Sequence, residues 1–379
     1  MKSVDSGPLN GLLVIDFSTL LPGPLAAQIL AQAGARVIKI EKPEVGDEMR
    51  SYEPRWGSIS ANFAMLNAGK ESVSIDLKSA DALELLRPLL SDADILLEQF
   101  RPGVMARLGL DYETVKRINP RLIYCSISGF GQTGPKSQVA GHDLNYIADT
   151  GLLDLSMGPP EARVLPPALV ADIAAGAFPA VMNILLALQQ RNATGTGCRL
   201  DIAMTDALFA FQYWNIGRMQ ATGESTISGA ELVTGGSPRY NLYNTRDGRV
   251  VAAAPIEQKF WLGFCDAIGL EDELRHDERN PDATLRRVRE LIAERESTYW
   301  EEKFSDANCC CNIVRRLDEA LADPHFVARN LFQAKVREQG GQQMWALPLP
   351  LADAFCPRER PTSDVPSLGQ HNAKIFGHD

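Results

Sequence analysis

The sequence is short of positive charge, of suitably spaced cysteines and of long apolar runs, and each shortage excludes a class of protein. Its 379 residues carry 38 Lys and Arg against 48 Asp and Glu, a formal net charge of −10. Bulk charge therefore gives no reason to expect a nucleic acid or an anionic membrane as partner, and an anionic substrate would need cations gathered locally. The start, Met1-Lys-Ser-Val-Asp-Ser6, has no apolar signal core. No apolar run is expected to approach the roughly 18 residues of a membrane-spanning helix. Seven cysteines suit a cytoplasmic protein better than a secreted disulfide scaffold. The adjacent Cys309, Cys310 and Cys311 lack the C-x2-C spacing of a zinc site and read as small buried hydrophobes. No metal site is expected, and there is no internal repeat.

The remainder is ordinary for a globular chain, 45% hydrophobic and 23% charged, with length for two or three domains. Short apolar runs alternate with helical patterns. Strands are expected at 12–16, 36–41, 72–76, 95–100 and 122–127, with helices at 26–33, 79–90 and 112–118 between them. That alternation implies a parallel sheet with right-handed crossovers, a doubly wound α/β domain. A long helix follows at 172–191, then a strand at 198–203 and a helix at 205–219. The texture changes after a Gly-rich linker at 229–238. A hairpin turning at Asp247-Gly248, a helix at 260–268 and one helix at 284–302 make a smaller α+β part. The stretch after Val327, with its Pro-rich tail, needs a surface to pack on. The expected division is a large domain of 1–225, to which 328–379 returns, and a small domain of 226–327.

Two strings carry the candidate chemistry. Ala140-Gly-His-Asp-Leu-Asn-Tyr146 holds His142 after a β-rich run, and Val170-Ala-Asp-Ile-Ala-Ala-Gly176 places Asp172 at the head of a helix. A histidine and a carboxylate in one cleft can exchange a proton across a substrate. A capping histidine and an N-cap aspartate would account for the same residues. Gly129-Phe-Gly-Gln-Thr-Gly134 matches G-x-G-x-x-G, but Pro135 and Lys136 follow where a dinucleotide site needs a helix to open.

Ten strings in order resemble the family III CoA-transferase fold family. They are Leu21-Pro-Gly-Pro-Leu-Ala-Ala27, Gly34 to Glu41, Gly46-Asp47, Gly69-Lys70 with Asp76 to Lys78, Phe100-Arg-Pro-Gly103, Gly129 to Pro135, Ala140 to Asp143, Gly195 to Gly197, Gly235 to Pro238 and Asp323-Pro-His325. Each string is weak alone, and the ordered set is specific. The resemblance implies a Rossmann-like large domain built from both chain ends, a small α+β domain, and an interlaced homodimer with its active site between the large domain of one protomer and the small domain of the other. It implies an acyl-CoA substrate, CoA being part of that substrate rather than a resident cofactor. Transferases of the family use as nucleophile the aspartate that corresponds to Asp172. Racemases of the family pair it with a histidine, here His142, and a small-domain glutamate, here Glu257. His142 thus favours α-proton exchange on a 2-methylacyl-CoA, with CoA transfer between carboxylic acids as the alternative. Lys42, Lys70, Arg101 and Arg107 match the positions expected to meet CoA phosphates. The N-terminus of the helix at Asp172 is expected to keep that carboxylate ionised and to offer N–H donors to an enolate oxygen. One position departs from the racemase pattern: Ala168, in Pro166-Pro-Ala-Leu169, stands where an asparagine is usual.

Overall fold

The computed structural model describes residues 7–155, 164–356 and 362–377. The expectations for Met1–Ser6, and part of the Pro-rich tail, lie outside the described residues. Contacts divide the chain into two units. The first comprises Met1–Thr150, Pro167–Ala210 and Arg329–Asp379, and the second Gly151–Pro166 and Phe211–Ala328. The helix Tyr213–Thr222, expected with the large domain, sorts with the second unit.

The first unit is built on six parallel strands: β1 Leu13–Asp16, β2 Arg36–Glu41, β3 Glu71–Ser74, β4 Ile95–Glu98, β5 Ile123–Ser128 and β6 Arg199–Ala203. Strands covered on both faces must be apolar almost throughout, and β1, β4 and β5 are. Their order is β3-β2-β1-β4-β5-β6. Register pairs Val14 with both Val37 and Ile95, and Ile95 in turn with Ile123. The order reverses between β1 and β4, so the loops leaving those strands diverge at their carboxyl ends. Open α/β sheets hold their ligands in that crevice.

Helix α1, Pro22–Gln32, starts at this crevice with prolines in its first turn, where the missing N–H costs nothing. On the other face, Leu86, Leu90 and Val115 pack with Ile15, Ile38, Leu96 and Tyr124. The chain end returns as expected. Residues Lys335–Arg337, Gln343–Trp345 and Ser363–Asp364 form a small sheet, and the last described residues cover edge strand β3. There the Ser72 N–H donates to His371 Nδ1 at 3.1 Å, and the Ser74 N–H to Asn372 Oδ1 at 2.8 Å. An exposed strand edge is thereby closed to stray pairing.

One expectation about apolar runs is corrected. The helix spanning Ala171–Thr194 is 24 residues long and, over an 18-residue stretch, apolar enough to match a spanning helix. It packs on β5, β6 and α1. Its sequence keeps apolar residues on both faces, because Phe178, Met182, Leu185 and Leu186 also point outward.

In the second unit, β7 Asn241–Asn244, β8 Val250–Ala253 and β9 Cys311–Ile313 are antiparallel, and the first two form the expected hairpin. Trp261, Phe264, Val288, Ile292, Trp300 and Phe304 fill the core beneath them. The expected single helix at 284–302 is two, Pro281–Ala293 and Ser297–Ala307. The reason lies in the hairpin turn: Asp247 takes both the Ser297 N–H, at 3.0 Å, and its hydroxyl, at 2.6 Å, and so starts a new helix there. The cysteine run is also mixed. Cys309 is buried, while Cys310, at φ 58°, turns out to solvent. The left-handed backbone at that residue separates the two side chains.

Candidate active site

The loops at the carboxyl ends of β1, β4 and β5 enclose a cavity of about 670 Å³. Thr19, Leu20 and Pro22 come from the first loop, Gln99, Phe100 and Arg101 from the second, and Ser128 to Phe130 from the third. His142, Asn145, Tyr146 and Asp172 complete the wall. Thus two residues separated by thirty positions, His142 and Asp172, face one space within the first unit.

Local structure explains how each is held. His142 precedes the helix Asp143–Asp149, and its backbone N–H donates to Asn145 Oδ1 at 3.0 Å. Its side chain is left exposed to the cavity rather than used as a cap. The Tyr146 ring lies against Gly129 and Gly141, at neither of which a Cβ would fit, and its hydroxyl donates to the Gly141 carbonyl. The two motifs therefore close on the same aromatic ring. Gly131 and Gly134 both have positive φ, and no helix opens at them, so this G-x-G-x-x-G segment is a wall loop.

Asp172 sits in a turn of π-helix, Ala171–Ala177, that opens the long helix. Such widened turns recur at functional sites because they let one side chain leave the regular ladder. Here the expectation of a helix terminus that stabilises negative charge is overturned. The Asp172 N–H donates to Asp143 Oδ1 at 3.0 Å, and the Ile173 N–H to the Leu169 carbonyl at 3.0 Å. Neither donor is free for an enolate oxygen. Burial, and then the negative charge of Asp143, push the Asp172 carboxyl up to about 7. A carboxyl of that kind can hold or release a proton at neutral pH. Asp143 is the residue the motif contained but whose part the sequence did not reveal.

Of the four expected phosphate contacts, Arg101 lines the cavity. Arg107 is exposed one helical turn beyond Gly103. Lys42 is exposed and paired with Glu48, itself a wall residue, at 2.8 Å. Lys70 is placed in the interior instead: its Nζ reaches Asp16 Oδ2 at 3.0 Å, the Pro24 carbonyl at 2.9 Å and Asn67 Oδ1 at 2.9 Å, with no exposed side-chain surface. Those three bonds use all the donors of an ammonium. Burial lowers the Lys70 amine to about 8 against the pull of Asp16. Glu257 belongs to the second unit, where it is exposed at the head of the helix Gln258–Ile268.

Lys70 is part of a buried network that sequence reading missed. Lys39 pairs with Asp47 at 2.9 Å and donates to the Ser18 carbonyl at 2.7 Å. Asp47 accepts from the Leu20 N–H at 3.0 Å, holding Leu20 at φ 62°. Two lysines against two aspartates balance in charge, and their remaining bonds fasten the loop after β1. The lysine within the apolar run of β2 was the available signal: a charge there is tolerated only when it is paired. Gln99 fastens the neighbouring loop, its Oε1 accepting the Gly23 N–H at 2.9 Å. Gln99 also lines the cavity, and its amide carries two N–H donors.

A parallel sheet of this order, with an imidazole and a protonatable carboxyl facing one cavity at its switch point, defines a doubly wound α/β enzyme of acid–base or nucleophilic chemistry. The sequence model of CoA-transferase family III matches residues 9–372, and the chain belongs to that family. It is 33% identical to acetyl-CoA:oxalate CoA-transferase of Acetobacter aceti, over 97% of this chain and 95% of that protein. It is 32% identical to alpha-methylacyl-CoA racemase of Mus musculus, over 97% and 92% respectively. Its structure resembles the crystal structure of a CAIB/BAIF family protein from Brucella suis, with a TM-score of 0.82 and 29% identity over 98% of this chain and 99% of that one. The relatives thus include both a CoA-transferase and a racemase.

Proposed function

We propose that the protein exchanges the α-proton of a 2-methylacyl-CoA thioester, interconverting its two configurations by 1,1-proton transfer between His142 and Asp172. The observation that carries this is the pairing in one cavity of an imidazole with a carboxyl raised to about 7. Thioester α-carbons are weak acids. A base must take the proton on one face while an acid supplies another on the opposite face. Neutral imidazole and carboxylic acid serve in one direction, and imidazolium and carboxylate in the other. The Gln99 amide stands ready to donate to the enolate oxygen, and Arg101 and Arg107 meet CoA phosphates. In the assembly we propose, an interlaced homodimer, Glu257 of the partner subunit completes the site. The outward apolar face of Phe178, Met182, Leu185 and Leu186 supports a covering second copy.

Ala168 favours a second reading, CoA transfer with Asp172 as nucleophile, because it leaves no hydrogen-bonding group where racemases carry one. The two separate experimentally. A 2-methylacyl-CoA is incubated in deuterated water, with and without a free carboxylic acid. Proton exchange predicts α-deuterium in both cases and no new CoA ester. A new ester with no α-deuterium, together with an Asp172-linked CoA thioester found by mass spectrometry at the turnover rate, would establish the transferase instead.

A further inference from the structure

One loop, leaving β4, gives the catalytic cavity Gln99, Phe100, Arg101 and Pro102. It is held at three points. The Phe100 N–H donates to Glu98 Oε2 at 2.8 Å, Gln99 Oε1 accepts the Gly23 N–H at 2.9 Å, and the Val104 N–H donates to the Arg101 carbonyl at 3.1 Å. The first of these bonds uses a buried ionisable group.

Glu98 ends a strand whose four residues are all buried, and it is itself only 3% exposed. A carboxyl in such a place loses its hydration and regains only what its partners supply. Burial pushes it up to about 7, against the hydrogen bonds of Ser126 and Phe100 and the attraction of Arg199. An apolar residue would complete the strand without that penalty, as Leu96 and Leu97 do before it. What the carboxyl adds is an acceptor for the N–H of a residue in the cavity wall. Glu98 and Arg199 also line a smaller cavity of about 110 Å³, and Arg101 borders both that cavity and the catalytic one. With space on two sides, the Arg101 side chain depends on where its backbone is fixed, and the bond at Phe100 fixes the residue before it.

We propose that Glu98 is a positioning residue for the CoA ester: by taking the Phe100 N–H it sets the backbone from which Phe100 and Arg101 reach the ligand. This rests on reading the catalytic cavity as the acyl-CoA site, and it assigns part of the affinity to a side chain outside that cavity's wall.

Glu98→Gln and Glu98→Met separate the acceptor from the volume. Glutamine keeps a carbonyl oxygen for the Phe100 N–H, whereas methionine has similar length and only a weakly accepting sulfur. Coenzyme A binding by calorimetry and amide hydrogen exchange at Phe100 are read on the full-length protein at pH 8. Glu98→Met should bind coenzyme A about tenfold more weakly and exchange the Phe100 N–H about tenfold faster, the loss falling on KM rather than kcat in turnover of the acyl-CoA. Glu98→Gln should return both to within about threefold of the parent, the difference between a charged and a neutral acceptor. Parent-like affinity and exchange in Glu98→Met would overturn the proposal. So would equal losses in the two variants, which would assign the role to charge rather than to the acceptor. Either result leaves the acyl-CoA reading standing, whereas a parent protein that binds no coenzyme A would overturn that reading and the positioning role with it.

Discussion

Replacing Asp172 by asparagine should stabilise the fold, and more so as pH rises. The carboxyl stands at about 7 against an ordinary 3.8, because burial and Asp143 oppose its ionisation. A raised carboxyl value means that the native state holds the proton more tightly than the unfolded chain does. Stability then falls as pH rises from the unfolded value toward the folded one. About three pH units of displacement correspond to about 4 kcal/mol once both states are ionised. At pH 5.5 little more than half of that cost is incurred, and at pH 8 nearly all of it, a difference of about 2 kcal/mol. Asparagine keeps the shape and has no ionisation cost. The gain of Asp172→Asn over the parent, measured by urea unfolding, should therefore be about 2 kcal/mol larger at pH 8 than at pH 5.5. The same variant should have lost turnover, a trade of stability for function. A gain equal at the two pH values would refute the claim that this carboxyl is held protonated by its surroundings.

His142→Ala should reduce α-proton exchange by about a hundredfold or more while CoA binding persists, read by deuterium incorporation and calorimetry on the same preparation. Arg101→Ala should weaken acyl-CoA binding by about 1.5–3 kcal/mol, the scale of a hydrogen bond to a charged group, with a smaller loss expected for the more distant Arg107→Ala; unchanged affinity for both would leave the phosphates without their proposed partners. Asp47→Ala removes the partner of buried Lys39 and should cost about 3–5 kcal/mol in denaturant unfolding, whereas a parent-like midpoint would mean the pair is not buried in solution. Leu186→Glu, on the outward face of the long helix, should shift the protein to monomers by light scattering and reduce activity with them; a dimer that is unaffected would place the interface elsewhere.

The sequence by itself determined what depends on near neighbours. Continuous apolar runs such as Leu12 to Ile15 and Ile95 to Leu97, short and bounded by turns, read as strands covered on both faces, and the helices between them imply parallel pairing. The Asp247-Gly248 turn and the exclusion of a dinucleotide loop at Gly129 to Gly134 were legible for the same reason. The family resemblance, rather than spacing, marked His142 and Asp172 as candidates. Tertiary structure decided the properties that depend on distant groups. Asp172 looked like an ionised helix cap until burial, and then the charge of Asp143, 29 positions away, raised its affinity for a proton, Asp143 also taking its N–H. Lys70 looked like a surface cation until Asp16, 54 positions away, drew it inside. Asp247 cut one helix into two by binding Ser297 fifty positions on. A side chain's charge state and burial follow from the electric field and the water around it, and both are set by residues that only folding brings near.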